Sequence, residues 1–189
     1  MGVLLNTQTG KFNGTIAADS DGSYSSAYGK RHLVPFGEYI PALFKSISFI
    51  ENLNLGGMDY TPGQDSALIT LRNGIRIGSL VCFDSIFSSL SRESVRDGAT
   101  LLVVVTNDSW FKDTRAVYQH ASFSKLRAIE TGRCVVRAAN TGVSMLIDSK
   151  GRVISELGPL VQGVVDGTVY TSDNMTLYTR IGDVVLWAA

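Results

Sequence analysis

Few residues in this sequence have side chains suited to chemistry, and one of them stands at a telling point. Cys82 follows a short apolar run, residues 77–81, that reads as a buried strand, and precedes Ser85-Ile-Phe-Ser-Ser-Leu90, which opens like a helix. A strand-to-helix elbow presents its side chain at the carboxyl end of a strand, where open α/β sheets place their sites. A nearby helix N-terminus favours a thiolate. The competing reading is a buried, inert cysteine. Lys30 precedes, and Glu38 sits in, a loop at residues 33–41 that holds two prolines and a glycine. Either residue alone reads as solvated surface. Together with an elbow cysteine they suggest an ammonium that supports a thiolate and then an oxyanion, with a carboxylate that holds it or exchanges protons with it. His32 and His120 are the only histidines. Spacing places neither beside Cys82, and two histidines without a rhythm of carboxylates make a poor metal site. Trp110 and Phe111 follow Asn107-Asp108 at the end of an apolar run, and they read equally as pocket lining or as core.

The elements that must position these residues follow from the pattern along the chain. Residues 3–5 are short and apolar. Residues 15–18 and 24–28 flank Asp19-Ser-Asp-Gly22 as a hairpin, with Lys30 just beyond its second strand. Residues 43–50 suit a short helix. Residues 52–63 form a Gly/Asn/Pro-rich loop that also carries Leu53, Leu55, Met58 and Tyr60, so it either packs down or meets an apolar ligand. Residues 67–71 and 75–81 form strands around Arg72-Asn-Gly74, and residues 86–97 a helix stopped by Gly98. Residues 100–106 form a strand buried on both faces. A helix capped at Asp113 or Thr114 runs to Glu130, with Val117, Ala121, Ser124 and Ala128 on its packing face and Gly132 at its end. Four strands are expected at 134–138, 144–147, 153–156 and 163–169. The sum is an α/β sandwich with sheet inside and helices outside.

Composition narrows the function classes. Lysines plus arginines and aspartates plus glutamates both number 17, so no basic excess points to nucleic acid. Two cysteines, Cys82 and Cys134, do not make a disulfide framework. No glycine-rich phosphate loop is present. The N-terminal apolar run is too short for a signal peptide, and no stretch approaches the ~20 apolar residues of a membrane span. Residues 181–187 turn apolar at the end, as a last strand or as the first turn of something cut off.

Several blocks together carry a resemblance: Tyr28-Gly-Lys30-Arg-His-Leu-Val-Pro-Phe-Gly-Glu38-Tyr-Ile-Pro41, Gly78-Ser-Leu-Val-Cys82-Phe-Asp84-Ser-Ile-Phe87, Val105-Thr-Asn-Asp-Ser-Trp-Phe111, Gln119-His120, Leu126-Arg-Ala-Ile-Glu-Thr-Gly-Arg133 and Val136-Arg-Ala-Ala-Asn-Thr-Gly142. In that order they resemble the apolipoprotein N-acyltransferase branch of the nitrilase, or carbon–nitrogen hydrolase, superfamily, from about Asn13 to the C-terminus. The resemblance implies a nitrilase-like α-β-β-α sandwich, incomplete at its N-terminal side, with residues 1–189 as a single partial domain. It implies Cys82 as the nucleophile, Lys30 as the triad lysine, the backbone N–H of Phe83 as an oxyanion donor and Glu38 as an additional active-site glutamate. Asp84 stands where the family usually has Glu, and Phe83 where Tyr is common; Trp110 is a further supporting residue.

The implied reaction is ping-pong acyl transfer. A phospholipid acylates Cys82 as a thioester, and the amine of an apolipoprotein's lipidated N-terminal cysteine takes the chain. No metal or organic cofactor is implied. The implied setting is the periplasmic face of the bacterial inner membrane. The family's base glutamate lies upstream of the lysine, whereas residues 1–29 contain no Glu. The expectation is therefore a fragment that does not turn over alone, with residues 181–189 as the start of a truncated membrane helix. The alternatives are a nitrilase-type amidase using the same Cys and Lys, and a non-catalytic remnant or binding module.

Overall fold

The computed structural model describes residues 1–19, 21–25, 27–44, 59–64 and 67–184. Strands β1 (Gly2–Thr7), β2 (Gly10–Thr15) and β3 (Tyr28–Gly29) form an antiparallel sheet. Strands β4 (Leu68–Thr70), β5 (Arg76–Val81), β6 (Leu101–Asn107), β7 (Val135–Asn140), β8 (Ser144–Ile147) and β9 (Val153–Leu157) form a second sheet in sequence order. Its centre, β5-β6-β7, is parallel, and its flanks are antiparallel. The parallel connections are made by helices α1 (Ser88–Arg96) and α2 (Arg115–Thr131), as parallel pairing requires. A short helix α3 (Leu177–Ile181) packs on both.

The two helices bury one face of the large sheet. Leu80, Leu102, Val104, Val135, Met145 and Ile147 meet Leu90 and Val95 of α1 and Val117, Ala121 and Ala128 of α2 in one closed core. Each large aliphatic there contributes roughly 1.5–3 kcal/mol by leaving water. Small residues permit the close approach: a Cβ at Gly78 would collide with Leu102 and Ser94. Gly132 ends α2 in the left-handed conformation at φ 64°.

The opposite face meets the three-stranded sheet. Tyr28, Ala67, Ile69 and Val81 form a smaller core between the sheets, and Thr15 Oγ1 lies 2.5 Å from Ser79 Oγ across it. Beyond that contact the inner face of the large sheet opens, with Val103 and Val105 half-buried and Ala138 exposed. The expected sandwich is present, and the described residues supply three of its layers: the small sheet, the large sheet and the helices.

The hairpin at Arg72-Asn-Gly74 forms where expected, with Gly74 at φ 84°, whereas the one expected over 15–18 and 24–28 is reduced to a single antiparallel bridge between Ala18 and Tyr24, with Gly22 at φ 82°. Three further readings are corrected. Residues 163–169 are irregular, not a strand: Val164 and Tyr170 are exposed, and no strand among the described residues supplies a ladder. The helix expected from residue 86 starts at Ser88, because a 3₁₀ turn, Cys82–Ile86, comes first. The apolar C-terminal run does not open as a strand: Ile181 closes α3 and Gly182 turns the chain, while residues 185–189 lie outside the described set. So do residues 45–58, which hold most of the helix expected at 43–50 and Leu53, Leu55 and Met58 of the apolar loop; Ala42–Phe44 is one 3₁₀ turn. No helix among the described residues is long and apolar enough to cross a membrane.

Candidate active site

Cys82 stands on the elbow between β5 and the 3₁₀ turn, with φ at 50°. A non-glycine residue in this region is strained by about 1–3 kcal/mol and persists only where surrounding bonds fix it. Those bonds are visible. The Cys82 carbonyl accepts from Ser85 Oγ at 2.7 Å and lies 3.1 Å from His120 Nε2. The Val81 N–H, one residue earlier, donates to Asp84 Oδ2 at 3.3 Å. The thiol is half-buried and opens onto a cavity of about 980 Å³. Cys134, also a free thiol, is buried at the start of β7.

Lys30 and Glu38 line the same cavity. Lys30 leaves β3 with its backbone N–H bonded to Asn13 O, and its side chain is 1 % exposed. Its Nζ donates to Glu38 Oε2 at 2.6 Å. Glu38 also accepts from the Val34 N–H at 2.8 Å and from Asn13 Nδ2 at 2.9 Å. A buried ammonium is tolerable only with such a partner. The intervening loop is shaped by Phe36 at φ 61° and by the Glu38 N–H bonding Val34 O at 2.8 Å. Glu38 therefore fixes Lys30, with both carboxylate oxygens already accepting bonds.

Asp84 faces elsewhere. Its carboxylate is fully buried and accepts from Tyr28 OH at 2.9 Å and from the His32 N–H at 2.8 Å, tying the Lys30 segment to the elbow. It does not line the cavity. Burial raises its carboxyl above the ordinary range despite the bonds from His32, Tyr28 and Val81. Burial and the Asp84 charge raise the Tyr28 phenol strongly. Phe83 lines the cavity and meets the Phe87 ring edge-on at 5.3 Å, while Trp110, 68 % exposed, stands on the cavity wall with Phe111.

A third group was not legible from spacing. His120 on α2 is buried beside Cys82 at the wall of the same cavity, with Nδ1 2.9 Å from Asp108 Oδ1. Arg137 of β7 donates through Nη2 to Asp108 Oδ2 at 2.8 Å and lies 3.2 Å from His120 Nδ1. Thr106 Oγ1 donates to Asp108 Oδ1 at 2.7 Å. Burial alone would raise the Asp108 carboxyl, but the His120 bond and the charges of Arg137 and His120 outweigh it and hold it below the ordinary range. Burial lowers the Arg137 guanidinium, and Asp108 works against that. A signal for the cluster did exist. His120 shares the buried face of α2 with Val117, Ala121 and Ser124, and Arg137 interrupts an apolar strand, so both needed buried partners. His32, by contrast, stacks on Phe87 at 3.9 Å between ring centroids.

Among the described residues, ligand atoms of Cys82, Asp108 and His120 lie within 4.8 Å of one another, close enough for a metal ion. The donor set argues otherwise. Both Asp108 oxygens already accept bonds, and the Arg137 guanidinium occupies the place a second cation would need. The arrangement instead suits nucleophilic chemistry: a strained thiol, a buried ammonium and a cavity with apolar walls at Val3, Leu4, Val105 and Phe111.

The carbon–nitrogen hydrolase family model matches residues 1–173. The chain belongs to the carbon–nitrogen hydrolase family. Within it, the chain is 47% identical over 160 residues to the apolipoprotein N-acyltransferase of Geobacter metallireducens, covering 84% of this chain and 30% of that protein. It is 38% identical to the enzyme of that name from Rhodopseudomonas palustris, over 93% of this chain and 33% of the relative. The chain thus spans about a third of the length of these curated relatives. Among solved structures, an amidase from Nesterenkonia matches with a TM-score of 0.62 at 20% identity, over 94% of this chain and 60% of that one. A carbon–nitrogen hydrolase from Helicobacter pylori matches with a TM-score of 0.62 at 18% identity, over 83% and 56%. These likenesses establish the carbon–nitrogen hydrolase fold.

Proposed function

We propose that this chain carries the acyl-transfer site of an apolipoprotein N-acyltransferase, acting at the periplasmic face of a bacterial inner membrane. The observation that carries the reading is the strained Cys82 sharing one apolar-walled cavity with the Lys30–Glu38 pair. The likeness to proteins of that name adds weight.

In the first half-reaction Cys82 Sγ attacks the carbonyl carbon of a phospholipid acyl ester. The ester C–O bond breaks, a thioester forms, and the lysophospholipid leaves with the proton lost by the thiol. Lys30 Nζ, held by Glu38 with N–H groups to spare, and the Phe83 N–H supply positive character for the oxyanion. In the second half-reaction the α-amino group of a lipidated N-terminal cysteine attacks the thioester. The C–S bond breaks, an amide forms, and the proton lost by the amine returns to the sulfur to restore the free thiol. The apolar walls and Trp110 favour an acyl chain over a small polar amide. Asp84, enclosed by its donors, holds the elbow rather than taking the proton.

The test is incubation of the full chain with radiolabelled phospholipid in detergent. A hydroxylamine-sensitive label on Cys82, lost in Cys82→Ala, is the expected result. No label on Cys82, with release of ammonia from small amides, would replace this reading with an amidase.

A further inference from the structure

Lys30 and Glu38 form one unit in the site, and a third residue holds both ends of it. Asn13 lies on β2, next to the Gly14–Gly29 pair that joins β2 to β3. Its carbonyl therefore meets the residue after Gly29, and the Lys30 N–H donates to Asn13 O at 2.7 Å. Side chains alternate along a strand, so Asn13 shares a face with Thr15. Thr15 reaches Ser79 of the large sheet, which turns that face toward the space between the sheets. Asn13 accordingly lines the cavity that holds Cys82. Its Nδ2 donates to Glu38 Oε1 at 2.9 Å. The other carboxylate oxygen, Oε2, takes Lys30 Nζ at 2.6 Å and the Val34 N–H at 2.8 Å. A carboxylate oxygen only accepts, so the amide must present its nitrogen here.

We propose that Asn13 is a positioning residue for the oxyanion donor: its backbone carbonyl anchors the Lys30 main chain, and its side-chain amide locks the rotation of the Glu38 carboxylate on which Lys30 Nζ rests. The terminal torsion of a glutamate is broad and roughly two-fold. Held at Oε2 alone, the carboxylate could turn about the Val34 contact and carry the ammonium with it. The Asn13 bond to Oε1 removes that freedom. It fixes the direction in which the remaining Lys30 N–H groups meet the cavity. Such orientation matters because a misplacement of about 1 Å can cost about 10²-fold in rate. Asn13 acts through Glu38 and Lys30, not on the reacting atoms. The inference rests on the reading of Cys82 as the acylated nucleophile and of Lys30 as its oxyanion donor.

The experiment measures the rate at which radiolabelled phospholipid acylates Cys82 in the full chain, against phospholipid concentration, with urea unfolding to give the folded fraction. Asn13→Ala removes the amide donor and keeps the backbone bond to Lys30. The expected result is label still at Cys82, a limiting rate lower by roughly 10–10²-fold, and an unchanged half-saturating phospholipid concentration. Glu38→Gln should also be slow, and the double variant should be no slower than Glu38→Gln alone, because Asn13 acts through Glu38. A limiting rate per folded molecule equal to wild type would reduce Asn13 to a structural role and overturn the proposal. So would losses that multiply in the double variant, a Glu38→Gln rate equal to wild type, or a loss that falls only on half-saturation. Absence of label on wild-type Cys82 would instead sink the acyl-transfer reading, and this inference with it. Should Asn13→Ala fail to fold, Asn13→Asp, of the same shape but without the amide donor, takes its place with the same outcomes.

Discussion

The two faces of the large sheet solve different problems. Toward α1 and α2 the sheet presents Leu80, Leu102, Val104, Val135 and Ile147, all closed off from solvent by aliphatic and small side chains. Toward β1–β3 it presents Ser79, Val81 and then the elbow, where Lys30, Glu38 and Asp84 are buried in bonded polar sets. The first face is held by non-directional burial, which tolerates changes of shape better than changes of volume. The second is held by hydrogen bonds whose partners must all be present, since a buried polar group left unpaired costs about 1–3 kcal/mol. Apolar burial dominates the helix side and the cavity opens on the other, with β5 serving both; the buried His120–Asp108–Arg137 set lies on the helix side, at the carboxyl end of the strands.

Substitutions on the two faces should therefore separate rate from stability. The largest effect is expected at Lys30→Arg. The charge is kept, but a planar guanidinium cannot reproduce a compact ammonium beside Glu38, and loss of an oxyanion donor costs about 10²–10³ in rate. Single-turnover thioester formation measures it; near-normal formation would remove Lys30 from the site. Asp108→Asn leaves the buried Arg137 short of an anion and should cost about 3–5 kcal/mol of stability at pH 7. The sign with pH is fixed by the lowered Asp108 carboxyl. Its contribution is fully present above the ordinary carboxylate range and is lost as pH falls through the folded value. Urea unfolding of wild type and variant should accordingly differ at pH 7 and converge in acid, below the ordinary carboxylate range. A gap that persists unchanged in acid would show that the charge is not what Asp108 contributes.

On the helix side, Leu102→Ala should cost about 2–5 kcal/mol by loss of burial and creation of a cavity. Cys82 in the fraction that remains folded should label with iodoacetamide at the wild-type rate. A loss of labelling in folded protein would show that the two faces are not separable. The smallest effect is expected at Thr15→Val, which leaves Ser79 Oγ without its 2.5 Å partner between the sheets. About 1–3 kcal/mol by urea unfolding is predicted, with thioester formation little changed.

The helix side was the legible one. Apolar periodicity in residues 117–128 reports burial directly, and Gly98 and Gly132 mark helix ends through their positive φ. The apolar run at 100–106 marks a strand but misstates its burial, for only its helix-side face is buried, and Leu101, Val103 and Val105 are half-buried rather than closed off on both faces. The elbow was legible because a strand pattern, a cysteine and a helix pattern are contiguous. Lys30 and Glu38 could be read as a pair because one short loop joins them. The His120–Asp108–Arg137 cluster draws on three elements, and no spacing rule joins residues brought together by parallel pairing of β6 and β7. The misread strand at 163–169 has the converse cause: alternating residues suggest a strand, but only a neighbouring ladder makes one.

The most direct measurement of the central claim is intact-protein and peptide mass spectrometry during exposure to phospholipid, followed by addition of a lipidated peptide amine. The account predicts one added acyl mass on the peptide containing Cys82, none on that containing Cys134, and a single stoichiometric transfer to the amine with return of the free thiol, without repeated turnover. Acylation confined to Cys134, or an acyl mass on Cys82 that water releases but the amine never receives, would contradict it.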